Sequence, residues 1–529
     1  MKIRNKEKLI SVSIFVLCIL FQLVCMVIIN AKTLPSGDEW FTYGLANNTQ
    51  EGPIFMDRKW ITQKTDGTGW IPTELMRDYL VVNEGEEFDF ATVISNQKRD
   101  VHPPLYYILV HVFCSLDSGN FNMLQSGMVN FLSLIGLNIL LWKMGKYFFA
   151  TLYERVLPVF ALCFSSVTVL LIGYDRMYAL LAFFCLLITY LQLRLAEDTD
   201  NRKVLCMLAG TTCLGCLTHY YFYMYLFAAF VVYAVEQLLI SKKKNKTILP
   251  CVGAHCAGGI VALVLYPTAI RHMLFSYRGE EIRDGLFDNK LESFATYYRI
   301  VNEYFFRGYM PVVLVIIVIS LVIGLKYKKI EFGKNYKNSF LLWGTLFFFC
   351  FIIAFISHET LWQYVSPGFA LIILGICMVL LLAAWFIPQK WKVPAVMLLL
   401  LFLCGNRLMK GVESALDTDE YNQEITTMLQ TQEGRDCVFV YESWNNLFNN
   451  RILDLMHFDE VLTVPLEELE STSMAQQLNT RKTEDELVVY LWDQDNDRLE
   501  EQIAHIEGDL GKEASLLFSS RKFSVFSMN

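Results

Sequence analysis

The sequence has no basic stripe of the kind nucleic acid requires, so a nucleic-acid partner is excluded. It has no disulfide framework: most of its 14 cysteines lie inside apolar runs, where a thiol behaves as a small hydrophobe. Cys213 and Cys216 have the CxxC spacing but fall inside one such run, where plain packing competes with a redox or metal role. The first apolar run, from about Leu9 to Asn30, is too long for a signal-peptide core and has no clear small-x-small cleavage site. It reads as an uncleaved transmembrane helix. No convincing internal repeat is present. What the chain has in abundance is apolar surface: 54% of its 529 residues are hydrophobic and 14% aromatic. A soluble domain of that length cannot hide so much, so lipid is the solvent for most of it.

Eleven apolar blocks approach the ~20 residues needed to span a bilayer. They lie at about 9–31, 124–142, 156–173, 177–195, 203–217, 220–240, 247–270, 310–326, 339–357, 363–387 and 391–409. The apolar, Tyr-rich stretch after His102 decides the topology. If it spans, Lys143, Lys146 and Arg155 fall outside and every later loop inverts. If it lies along the interface, Lys2, Arg4, Lys6, Lys8, Lys143, Lys146, Arg202, Lys203 and the 242–246 lysine cluster share the inner side. Lys326, Lys328, Lys329, Lys334, Lys337, Lys390 and Lys392 join them, and the short outer turns keep only Arg176. The positive-inside rule favours the interfacial reading.

The expected fold is therefore a polytopic α-helical membrane protein with about eleven transmembrane helices and a cytoplasmic N terminus. Residues 1–410 form the membrane domain, with outer loops at about 32–123 and 271–309 and interfacial helices in the first. After Met409 the composition turns acidic and Gln-rich. Strand-like runs at Cys437–Tyr441, Leu487–Trp492 and Phe523–Phe526 alternate with helical stretches at Met474–Asn479 and Arg498–Glu507. Residues 411–529 thus read as a small extracytoplasmic α/β domain. It carries no phosphate loop or dinucleotide fingerprint, which leaves it without assigned chemistry.

Five polar clusters fall at helix ends on the outer face, where a membrane enzyme would hold a charged lipid substrate. The acidic pair Asp38–Glu39 lies in Gly37-Asp38-Glu39-Trp40, a pattern that also suits an ordinary helix start. Asp100-Val101-His102-Pro103-Pro104-Leu105-Tyr106-Tyr107 places two prolines at the start of the interfacial helix, where Asp100 can also serve as a simple charge partner. Arg176, in Arg176-Met177-Tyr178-Ala179-Leu180, can clamp a phosphate with paired donors or snorkel to the headgroups. In Thr218-His219-Tyr220-Tyr221, aromatic-belt anchoring explains the tyrosines but not His219. The fifth cluster runs from His358 to Gln363 and Tyr364.

Taken in order, these motifs resemble the polyprenyl-phosphate-sugar-dependent glycosyltransferases of the GT-C fold, in the branch with protein O-mannosyltransferases and bacterial aminoarabinose transferases. The resemblance covers about residues 1–400. It implies that Asp38 is the catalytic base with Glu39 beside it, and Asp100 is a further catalytic candidate. It implies that His102, Arg176, Tyr178, His219, Tyr220, Gln363 and Tyr364 contact substrate. These families often have Arg before the late Tyr, where this chain has Gln363, so Arg271, Arg278 or Arg283 becomes the candidate for a second phosphate contact. The partners implied are a polyprenyl-phosphate-linked sugar, the bilayer of the plasma membrane, and a glycan, lipid or protein acceptor.

The residues fit that chemistry. A lipid-phosphate leaves readily, so no strong acid is needed, whereas an acceptor hydroxyl needs a carboxylate base. A cation steadies the departing phosphate, and a single base opposite the leaving group implies inversion at the sugar carbon. No cofactor is assigned. A divalent metal stays open, with His102, His219, Glu39 and Asp100 as available ligands but no clustered spacing. The competing readings are a transporter or flippase of lipid-linked glycans, a glycan ligase or polymerase, and a non-catalytic envelope assembly protein.

Overall fold

The computed structural model describes residues 2–31, 37–49, 69–243, 248–276, 290–327, 336–356, 361–441, 452–469, 487–492, 498–520 and 523–529. Lys244, Lys246, Arg278, Arg283, Lys328, Lys329, Lys334, His358, Glu359, Thr360 and the expected helix Met474–Asn479 lie outside these residues. Among the described residues, seven helices are long and apolar enough to cross a membrane, and up to ten spans result if each of three bent helix pairs counts as one. The expected eleven is not reached. The difference falls at block 203–217, which forms the helix Arg202–Cys216 of 15 residues. At 1.5 Å per residue that is roughly 23 Å, short of a ~30 Å hydrocarbon core. The stretch after His102 forms the helix Leu105–Ser115 of only 11 residues, too short to span.

Two compact units emerge from the contacts: Met1–Asn30, Asp100–Tyr106 and Ser126–Ser414 form the first, and Ala31–Arg99, Tyr107–Gln125 and Ala415–Asn529 the second. In the first unit, polar side chains set the helix register where apolar packing alone is degenerate. Gln22 of the opening helix donates to Thr168 Oγ1 (3.2 Å) and accepts from Asn138 Nδ2 (2.7 Å). Asn30, at the end of the same helix, donates to the Ile172 carbonyl at 3.4 Å. Close approach does the same between helices Arg202–Cys216 and Leu249–Leu265. A Cβ on Gly258 would sit 2.2 Å from the Ala209 carbonyl oxygen, and Thr212 Oγ1 pairs with His255 Nδ1 at 2.9 Å.

The loops that the lysines and arginines sort to one side meet at one end of this unit. Glu7 accepts from the Leu152 N–H at 2.8 Å, and Glu154 closes a capping box with Thr151 and accepts from Gln389. Lys146 pairs with Glu197 at 3.4 Å, and Lys243 donates to the Ala196 carbonyl at 3.0 Å.

The second unit holds a six-stranded sheet: β1 Trp70–Pro72, β2 Cys437–Tyr441, β3 Glu460–Pro465, β4 Leu487–Trp492, β5 Ala514–Ser519 and β6 Phe523–Met528. Its order is β1-β3-β2-β4-β6-β5, with β2 parallel to β3 and β4 and the remaining pairs antiparallel. One face is aliphatic: Val438, Val440, Val489 and Leu491 pack with Ile506 of the helix Leu499–Leu510. The other is aromatic, with Phe439, Tyr490, Phe523 and Trp492 in ring contact at 5.0–5.6 Å. The expected α/β tail is therefore present, and its edge strand β1 comes from the loop that follows the opening helix. Trp70 pairs with Leu462, and the adjoining Thr73 hydroxyl donates to the Asp459 carbonyl at 3.0 Å.

Candidate active site

In the first unit, the Asp100–Tyr106 segment meets the turn between helices Ser166–Gly173 and Tyr178–Glu197. Pro103 and Pro104 precede the first turn of Leu105–Ser115, and the Leu105 N–H donates to the Leu217 carbonyl at 2.9 Å. Tyr106 is fully buried and its hydroxyl reaches Asn130 Oδ1 at 3.3 Å. Asn130 in turn donates to the Tyr174 carbonyl (3.1 Å) and to Asp175 Oδ1 (3.3 Å). Two tight backbone bonds complete the turn, Arg176 N–H to Tyr174 O at 2.7 Å and Tyr178 N–H to Arg176 O at 2.9 Å.

These constraints bring three ionisable side chains into a line. Asp100 Oδ2 lies 2.6 Å from His102 Nδ1, and His102 Nε2 lies 3.4 Å from Arg176 Nη2. Arg176 is only 5% exposed. Burial pushes the Asp100 carboxyl up, but the adjoining His102 and the Arg176 guanidinium outweigh it and hold the group down at about 2.

Aromatic rings wall the line. The His219 ring is 6.1 Å from His102, 5.8 Å from Tyr178 and 4.9 Å from Tyr221. Trp362 stands 5.7 Å from both Tyr174 and Tyr178, and Tyr364 meets Tyr221 edge-on at 4.8 Å. The structure thus gathers Asp100, His102, Arg176, Tyr178, His219 and Tyr364. Tyr220 turns elsewhere: its hydroxyl pairs with His272 Nδ1 at 2.9 Å. The Gln363 side-chain oxygen is buried with no hydrogen-bond partner among the described residues. Arg271 is exposed on the helix Thr268–Phe275.

Asp38 and Glu39 belong to the second unit and occupy the first turn of the helix Gly37–Asn47. Asp38 is exposed, whereas Glu39 is 1% exposed. Packing explains the contrast. Trp40 stacks on Phe121 at 5.6 Å and Tyr43 donates to the Asn122 carbonyl at 3.1 Å, which turns one face of the helix inward.

Asn130 is absent from the sequence-based candidates, and Tyr174 and Trp362 fall within the third and fifth clusters without a role assigned to them. Asn130 carried a usable signal, an amide inside the otherwise apolar helix Leu124–Phe148. Trp362 reads as an interfacial anchor on composition alone. No group of three or more His, Cys, Asp or Glu able to hold a metal occurs among the described residues. His102 Nδ1 is engaged by Asp100 and its other nitrogen faces a cation, a poor arrangement for a divalent ion.

The apolar helices of the first unit and the small, mostly C-terminal sheet of the second give a multi-pass membrane protein of the GT-C fold. The structure is similar to that of ArnT, an aminoarabinose transferase, from Cupriavidus metallidurans bound to undecaprenyl phosphate, with a TM-score of 0.54, 10% identity and 97% of each chain covered. The apo state of the same protein matches with a TM-score of 0.50 over 97% of each chain, again at 10% identity. At that identity the likeness is one of fold. No protein-family model and no curated protein matches the chain in sequence.

Proposed function

We propose that this chain is a membrane glycosyltransferase that moves a sugar from a polyprenyl-phosphate donor to an envelope glycan, lipid or protein acceptor at the outer face of the plasma membrane. The observation that carries the proposal is the buried Arg176, held in a helix-end turn with His102 beside its guanidinium, while aromatic rings pack on His102 and on the flanking Tyr174 and Tyr178. In the fold it shares, ArnT has been captured with undecaprenyl phosphate. A guanidinium offers planar paired donors that match two phosphate oxygens, and a site of low dielectric strengthens each of them.

In this reading Arg176 binds the donor phosphate and stabilises it as it departs. Asp38 takes the proton of the acceptor hydroxyl while the hydroxyl oxygen attacks the sugar carbon. The bond to the phosphate oxygen breaks in the same displacement, with inversion. Tyr178, His219 and Tyr364 line the site and exclude water, which would otherwise compete as acceptor. The N terminus is cytoplasmic, and 411–529, together with the outer loops, is extracytoplasmic.

A flippase reading draws on the three bent helix pairs, whose breaks turn the chain by 57°, 96° and 78°. It also requires ionisable groups deep within spans, whereas Asp100 and Arg176 lie outside helices at their ends. The test is sugar transfer by the purified protein in liposomes, assayed with polyprenyl-phosphate sugars and set beside lipid scrambling. Transfer that is lost in Arg176→Ala supports the enzyme. Movement of lipid-linked glycan with no bond broken overturns it.

A further inference from the structure

Three carboxylates near the motifs are candidates for the base, and the geometry removes one of them. A guanidinium carries donors only. With the ring neutral, the His102 nitrogen that faces Arg176 Nη2 at 3.4 Å presents a lone pair. The ring proton then sits on Nδ1, where it is donated to Asp100 Oδ2 at 2.6 Å. The opposite tautomer would aim one N–H at another. Asp100 thus selects the tautomer of its histidine, as carboxylates do behind catalytic and metal-binding imidazoles. A carboxylate engaged in this way is poorly matched to accept a second proton from the acceptor.

We infer that Asp100 and His102 are positioning residues that set the Arg176 guanidinium for the phosphate of the lipid carrier, while the acceptor's proton goes to another carboxylate. The inference rests on the phosphate role proposed above for Arg176. Both ends of the line are fixed to backbone. The Leu105–Leu217 bond anchors the segment that carries Asp100 and His102, and the Asn130 bonds anchor the Arg176 turn. Arginine loses much rotamer freedom when it binds a ligand. With one edge held by His102 Nε2 before the ligand arrives, part of that ordering is complete, and a planar guanidinium set in this way matches two phosphate oxygens.

The sign of one measurement separates this role from others. Coulomb attraction alone predicts that Asp100→Asn, by deleting a negative charge close to the site, binds a phosphate more tightly. Positioning predicts weaker binding. An Asn at 100 can donate to Nδ1, which moves the ring proton to Nε2 and sets it against Arg176. The experiment titrates the full-length protein in nanodiscs with undecaprenyl phosphate and, as a control, with undecaprenol.

Asp100→Asn and His102→Phe should each weaken undecaprenyl phosphate binding about tenfold, the scale of one charge-assisted hydrogen bond. Undecaprenol binding should hold, Asp100→Glu should recover most of the loss, and neither change should add to Arg176→Ala. Unchanged or tighter binding in Asp100→Asn, or losses that add fully to Arg176→Ala, overturns the inference. If Asp100→Asn does not fold, the His102→Phe and Arg176→Ala pair completes the same cycle. A wild-type protein that binds undecaprenyl phosphate no better than undecaprenol removes the phosphate role of Arg176 itself, which is distinguishable because no variant is then needed.

Discussion

Replacing Asp38 by Asn tests the proposed base against the ordinary helix-start role that the same residue fills. Asp38 is exposed in the first turn of Gly37–Asn47, where its charge faces the positive end of the helix dipole. An exposed charge there is worth about 0.3–1 kcal/mol, and Asn retains the polar side chain, so the structural cost stays below about 1 kcal/mol. As a base, its loss removes a factor of about 10²–10⁴ in turnover, or roughly 3–5 kcal/mol of barrier. Glu39 inverts the comparison. It is 1% exposed and has a partner, and Glu39→Gln alters that buried polar contact at a cost of about 1–3 kcal/mol in stability. The assays are sugar transfer in liposomes, thermal unfolding in detergent and undecaprenyl phosphate binding, each run on both variants. Asp38→Asn should lose turnover while it keeps stability and donor binding; Glu39→Gln should lose stability first. Turnover of Asp38→Asn within about threefold of wild type would refute the assignment and return the residue to a helix-start role.

Three further outcomes are expected. The Asp100 carboxyl is held at about 2, below its ordinary value of 3.8, so it contributes stability that is fully present above about pH 4 and is lost as pH falls toward 2. The gap in unfolding temperature between wild type and Asp100→Asn, worth roughly 2 kcal/mol at neutral pH, should narrow over that window; a gap that widens on acidification contradicts the pairing. Gly258→Val should destabilise by about 1–3 kcal/mol because its Cβ meets the Ala209 carbonyl, while Gly259→Ala, with nothing within 4 Å, should be neutral in the same melts. Reporter fusions after Lys244 and Lys334 should read cytoplasmic and those after Asp284 and at the C terminus external; a cytoplasmic C terminus would sink the proposed orientation.

The helical fold and the α/β tail were legible because their signals are local. Hydropathy marks apolar helices, and alternating runs mark strands such as Cys437–Tyr441, which the structure places at those residues. Helix length was less legible. Block 203–217 is apolar across its window, yet two basic residues open its helix and a turn ends it at Leu217. The site was partly legible, since Asp100, His102, Arg176 and His219 stand out as polar groups at apolar boundaries. Their contact in a line was not, because sequence spacing does not tell which ring nitrogen faces which partner. Asn130, Tyr174 and Trp362 act through backbone bonds and ring contacts that come from distant segments. Strand β1 is three residues long and is recognisable only by the partner it finds.

That partner sets an order of assembly. Thr73, next to β1, bonds across 385 residues of chain to the Phe458 carbonyl. At about 5–20 residues per second, roughly 20–80 s separate the synthesis of the two. During that interval the first loop has been made and the sheet edge it will complete has not, while the intervening helices enter the bilayer. The second unit is thus finished last, from the two ends of the chain. A ribosome that stops before β3 leaves β1 without its partner, so truncation near the C terminus is felt in a loop next to the first helix.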